Sequence, residues 1–236
     1  MADTKADDDL SHIHICLDIP PCPLPKDTSE RAALVKEYRW QPGDSLRIAF
    51  LGGDNLLQAR VRNAVKPWLA NANIFFAFGS DPAVADIRIS FVQDRTSWSK
   101  IGRDCRNVPR PLATMNFGWL ASSTTDAELN RVVLHEFGHA LGLMHEHQHP
   151  KAGIPWDQPK VLAYYASLKP PWSPKEVEKN IFQQYNATLS QYSRFDPKSI
   201  MMYPVPGELT NHKFEVGWNM MLSPLDVEFI RAAYPL

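Results

Sequence analysis

The sequence predicts one α/β or α+β domain: a mixed, twisted sheet with a long helix in the N-terminal half, then an irregular, mostly helical C-terminal half. Three observations predict it. Short β-branched and aromatic segments recur between Ser45 and Leu120. One capped run with helical apolar spacing follows them, from Thr125 to Gly142. Beyond Pro150 the pattern loosens, and only short helix starts are legible. In order, "SLRIAFLGG" (Ser45 to Gly53) alternates and stops at paired glycines, a strand. "NLLQARVRNAVKPWLANA" (Asn55 to Ala72) is a helix that Pro67 should kink. "NIFFAFG", "ADIRISF" and "ATMNFGWL" (Ala113 to Leu120) complete the strands. Thr125 and Glu128 form a capping-box pattern ahead of Leu129, Val132, Val133, Phe137, Ala140 and Leu141, and Gly142 is the stop. Ser173-Pro174 and Ser223-Pro224 each open a further helix.

Composition narrows the function classes. Of 236 residues, 44% are hydrophobic and 22% charged, ordinary for a globular domain with a real core. The formal net charge of −1 gives no electrostatic pull toward nucleic acid or an anionic membrane. No apolar run approaches the roughly 20 residues of a membrane helix. Three cysteines, Cys16, Cys22 and Cys105, are too few and too scattered for a disulfide framework. The polar, acidic start "MADTKADDDLSHIH" lacks the charge-then-apolar order of a signal peptide. The expectation is a monomer that is cytoplasmic as written, or secreted if a signal has been removed or another route is used. Residues 1–38, with the proline strip "PPCPLP", read as an extension to a domain over 39–236.

The chemistry concentrates in "HEFGHALGLMH". His135 and His139 are four apart, so a helix sets both imidazoles on one face about a turn apart. Neutral imidazoles at that spacing can share a zinc ion. Glu136 sits one step round the helix, beside the metal rather than on it. Gly142 tolerates the sharp turn that brings His145 back as a third nitrogen. Three protein ligands leave a position for water, the catalytic pattern, and a purely structural zinc would need no Glu136. His147 and His149 lie past the turn, where loop hydrogen bonding or exposure is the expected role.

These residues resemble the long zinc motif of the metzincin clan of metallopeptidases. "SIMMYP" (Ser199 to Pro204) is similar to the clan's methionine turn, with Met201 as the turn methionine. Acidic Glu146 after the third histidine, and Tyr203 two places after Met201, point to the astacin-like branch. The glycine-rich repeats of serralysins are absent. There are departures from astacins: Leu143 replaces a usual phenylalanine, Met202 a common histidine, and the paired disulfides are missing. The resemblance covers roughly Trp40 to Leu236 and implies the metzincin-type zincin fold with one catalytic Zn2+ on His135, His139 and His145. It implies Tyr203 as a fifth ligand that swings away to stabilise the transition state, and Glu136 as general base acting on a zinc-bound water. The implied activity is peptide-bond hydrolysis in a peptide or protein substrate. The rival reading is a catalytically silent, zinc-stabilised binding module of the same fold; the retained Glu136 disfavours it.

The resemblance also implies that an extended peptide pairs with a sheet edge above the zinc. "ATMNFGWL" is the matching segment, so Asn116, Phe117, Gly118 and Trp119 are expected to line the cleft; a core role for Trp119 stays open. Metzincins are often kept inactive by a pro-segment that supplies a zinc ligand. Cys22 suits that role because a thiolate is a strong zinc ligand, and Asp18 is its rival.

Overall fold

The computed structural model describes residues 15–18, 38–168, 170–185, 194–211 and 214–236. Six strands form one sheet: β1 (Ile15–Asp18), β2 (Ser45–Phe50), β3 (Phe75–Phe78), β4 (Ile87–Ser90), β5 (Thr96–Ser99) and β6 (Met115–Asn116). Their order is β1-β5-β6-β4-β2-β3. β2, β3, β4 and β6 run parallel, β5 pairs antiparallel with β6, and β1 lies parallel along the outer side of β5. This is the mixed sheet the sequence predicts, with two strands it did not reveal, β1 and β5.

The strands form where the sequence supplies apolar side chains for the face that packs into the core. Leu46, Ile48, Ile87 and Ile89 are buried, each contributing about 1.5–3 kcal/mol. Arg88, between Ile87 and Ile89 but on the opposite face, is also buried, and its guanidinium donates to the carbonyls of Ala85, Asp86 and Val108. The charge is therefore satisfied by backbone, and it fastens the 102–112 connection to β4.

Against the sheet pack α1 (Asn55–Ala64) and α2 (Lys66–Leu69), which the sequence joined as one kinked helix. The break falls at Val65, just before Pro67, whose missing N–H and ring disfavour a continuous helix. The long helix α3 runs Asp126–Ala140. The Thr125 side chain accepts from the Glu128 N–H at its start. Its end is a Schellman turn: Gly142, at φ +99°, donates to the His139 carbonyl, and Leu143 donates to that of Gly138. Three large aromatics seize α3 carbonyls near that end. Trp68 Nε1 donates to Leu134 at 2.9 Å, Trp40 Nε1 to Ala140 at 2.8 Å and the Tyr234 hydroxyl to Leu141 at 2.6 Å. The C-terminal half of the helix, which carries the histidines, is thus held by the core.

The second half contributes α4 (Gln158–Ser167), α5 (Pro174–Val177) and α6 (Pro224–Ala233). Ser173 and Ser223 form full capping boxes with Glu176 and Asp226. α5 runs on into a π-helical turn, Glu178–Phe182. A second apolar cluster gathers Val161, Val177, Ile181, Leu209 and Tyr203. No helix among the described residues is long and apolar enough to cross a membrane.

Candidate active site

α3 delivers His135 and His139 on one face, and the turn at Gly142 returns the chain so that His145 joins them. All three are buried, and their ligand-capable nitrogens lie within 4.8 Å of one another. The His135 Nδ1–H donates to the Ile200 carbonyl at 2.8 Å, and that of His139 to the Leu143 carbonyl at 2.9 Å. Each bond fixes its ring's tautomer and leaves the Nε2 lone pair facing inward. His135 Nε2 is buried with no hydrogen-bond partner among the described residues, and His139 Nε2 stands 3.0 Å from His145 Nε2. Tetrahedral Zn–N bonds of about 2.0–2.1 Å put two ligand nitrogens about 3.3 Å apart, so the group fits one zinc ion. Burial, followed by the neighbouring imidazole of His139, pushes His135 and His145 well below the usual histidine range. Both are neutral at physiological pH, as a metal ligand must be.

Glu136 is fully buried on α3, one step from His135. Met201 packs beneath the motif. A methyl group at Gly138 would come within 2.3 Å of the Met201 sulfur, so the helix carries glycine where the turn methionine presses against it. Tyr203 completes the cluster, with its ring centroid 4.4 Å from that of His145 and 6.1 Å from that of His135. The methionine turn is braced from both sides. The Glu146 N–H donates to the Met201 carbonyl, and Asp226 accepts from Ser199 Oγ and the Ile200 N–H.

Some expected positions change. The Ala113–Leu120 segment is not the sheet edge: β6 lies between β5 and β4. Asn116, Phe117 and Gly118 are buried, and of the four expected cleft residues only Trp119 is partly exposed. The edge of the domain's own strands is β5, which the sequence hid because it is four residues of mostly polar type. Asn116 instead builds that edge: its amide donates to the Val92 and Thr96 carbonyls and accepts from the Val92 N–H, knotting the turn that launches β5. A side chain at Gly118 would collide with the Thr96 backbone at 2.3 Å, so glycine here lets the chain leaving β6 pass close to the start of β5. Trp119 donates its indole N–H to Glu128 at 3.0 Å. His147 and His149 are buried rather than exposed. His147 donates to the Asn180 carbonyl, and His149 Nδ1 accepts from the Lys151 N–H. Cys22 lies outside the described residues. Asp18 ends β1, in register with Ser99.

Gly138 was missed by sequence reasoning, although a glycine inside a helix that costs about 1 kcal/mol relative to alanine is itself a signal.

Two buried imidazoles and a carboxylate on one long helix, a third buried imidazole returned to them by the turn that follows, and a methionine turn below define a zinc metalloendopeptidase of the metzincin type. The profile of the Astacin peptidase family matches residues 35–234, and the chain belongs to that family. One solved structure of myroilysin matches with a TM-score of 0.82 at 42% identity, covering 86% of this chain and 98% of that one. A second myroilysin crystal structure matches at 0.71 and 38% identity, covering 94% and 91%. High choriolytic enzyme 1, a hatching enzyme zinc-protease from the medaka fish Oryzias latipes, shares the fold at a TM-score of 0.58 and 15% identity, covering 84% of this chain and 95% of that one. No curated protein sequence matches the chain.

Proposed function

We propose that the chain cleaves peptide bonds at the His135, His139 and His145 centre, with Glu136 as the general base and Tyr203 as the oxyanion donor. The observation that carries this reading is the convergence of three buried imidazoles with the Tyr203 ring 4.4 Å from His145. When bound to the three histidines, zinc would polarise the scissile carbonyl and lower the pKa of a water molecule toward about 7. Glu136 removes the proton from the attacking water and passes it to the leaving amine nitrogen as the C–N bond breaks. The Tyr203 hydroxyl donates to the oxygen that becomes negative in the transition state, and in the resting site it is the candidate fifth ligand. The Ile200 and Leu143 carbonyls hold His135 and His139 in orientation throughout, and Met201 supports them from below. The substrate enters as an extended strand along β5.

We further assign residues 1–38 as an inhibitory extension to the peptidase domain over 39–236. Its support is β1, which pairs Ile15–Asp18 with Thr96–Ser99 along the strand edge that substrate would need. Cys22 and Asp18 are the rival latency ligands.

The decisive test compares wild type with Glu136→Ala on casein, with zinc content measured in both. The expected result is full zinc occupancy in both, chelator-sensitive cleavage by wild type, and turnover lowered by at least about a thousandfold in the variant. A zinc-loaded variant that keeps wild-type activity would remove Glu136 from the mechanism. A wild type that cleaves nothing, even without its extension, would leave the silent binding module standing.

A further inference from the structure

We infer that His147 is a positioning residue for Tyr203: anchored to the π-helical turn, its ring is the plate against which the tyrosine ring is held beside the metal ligands. The inference rests on the reading of Tyr203 as oxyanion donor given above.

The geometry is specific. The His147 and Tyr203 rings stack with centroids 4.4 Å apart and planes 22° from parallel. His147 is itself buried, and its Nε2–H donates to the Asn180 carbonyl at 2.7 Å. That bond engages Nε2 with the π-helical turn and so ties the ring to it. The acceptor belongs to the π-helical turn Glu178–Phe182, and the next side chain is fastened to the same turn: Gln148 Nε2 donates to the Lys179 carbonyl at 2.9 Å. Two successive side chains thus grip two successive carbonyls of one turn. A π-helical turn is a rare local feature that recurs at functional sites. Ile181, from the same turn, sits with Val177, Val161 and Leu209 in the apolar cluster that receives Tyr203. Tyr203 is therefore packed by His145 and His147 on one side and by that cluster on another, and its hydroxyl position depends on the His147 plate.

Plain packing would make His147 a contributor to stability only. The two roles separate in a double-mutant cycle on the zinc-loaded full chain, with kcat, KM, zinc affinity by chelator competition and Tm measured for each protein. Tyr203→Phe is expected to lower kcat by about 100-fold. His147→Leu, which loses both stack and anchor, should lower kcat by about 10-fold, with KM and zinc affinity within about threefold of wild type. The combined variant should be no slower than Tyr203→Phe alone, because the plate acts only through the hydroxyl. His147→Phe keeps the stack and should recover most of the lost kcat; it also covers the case in which His147→Leu does not fold. Multiplicative losses in the combined variant, or a zinc affinity weakened about 10-fold in His147→Leu, would overturn the inference while leaving Tyr203 in place. A Tyr203→Phe enzyme as fast as wild type would overturn the reading of Tyr203 and this inference with it.

Discussion

His135 is oriented by a carboxylate that never touches it. Asp226 is buried at the start of α6 and accepts from Ser199 Oγ at 2.6 Å, the Ile200 N–H at 2.8 Å and the Ser223 N–H at 2.9 Å. Ile200 then presents its carbonyl to His135 Nδ1. Burial pushes the Asp226 carboxyl up, and the donors from Ser199, Ile200 and Ser223 oppose that shift. Replacing it with asparagine leaves one acceptor oxygen where two were in use, so at least one of these bonds must fail. Asp226→Asn is expected to weaken zinc binding by about 10–100-fold, the usual cost of losing a group that orients a ligand. Ser223→Ala serves as the control. It removes a helix cap worth about 1 kcal/mol but leaves the Asp226 bonds to the turn, so its zinc affinity should stay within about threefold of wild type. Equal zinc losses in the two variants would mean that the helix, and not the carboxylate, sets His135.

At the scale of the element, α3 depends on two glycines for different reasons. Gly142 holds φ +99°, where a Cβ costs about 1 kcal/mol or more, and it sets the direction of the chain toward His145. Gly138 has ordinary helical geometry, but its missing side chain is the space filled by the Met201 sulfur at 2.3 Å and approached by Trp68 at 3.3 Å. Gly138→Ala should therefore destabilise by about 1–3 kcal/mol despite alanine's better helix propensity, and lower zinc affinity as Met201 is displaced. Chemical denaturation with zinc titration would register both; a more stable variant with unchanged zinc binding would show that the turn methionine yields freely. This helix was the most legible element because its cap, apolar period, metal spacing and glycine stop all lie within one continuous run. β5 was illegible for the opposite reason. Its inward positions are Ser97 and Ser99 and its half-exposed ones Thr96 and Trp98, which inverts the usual alternation. The serine hydroxyls are satisfied locally, Ser97 by the Gly118 N–H and Ser99 by the Lys100 carbonyl, so polar residues can face inward at little cost. α4 was missed because only Val161 of its residues is buried, too little for an apolar stripe.

Across the whole molecule, the three histidines were readable from spacing, whereas much of what holds them comes from distant parts of the chain. Tyr203, Ile200 and Met201 arrive from the second half, Trp68 and Trp40 from the first. His147 and His149 looked like an exit loop because nothing local announces that the 178–182 turn and Phe195 will cover them. The same long-range logic applies to the extension. β1 has four residues and pairs with a strand of four, so its backbone bonds compete directly with those of any peptide laid along β5. Removing residues 1–38 should expose that edge and raise the initial rate of casein cleavage at least about tenfold, because a tethered segment competes at a local concentration in the millimolar range. The gain should appear mainly as a lower apparent KM if β1 alone is responsible. A gain in kcat as well would implicate a side chain that occupies the metal, and Cys22→Ala and Asp18→Ala in the full chain would then tell the two ligands apart. Because β1 covers the edge only in the intact chain, adding a synthetic peptide of residues 10–24 to the truncated enzyme should restore inhibition with competitive kinetics. Equal rates for the full chain, the truncated chain and both single variants would rule out latency and leave β1 as an ordinary sixth strand of the sheet.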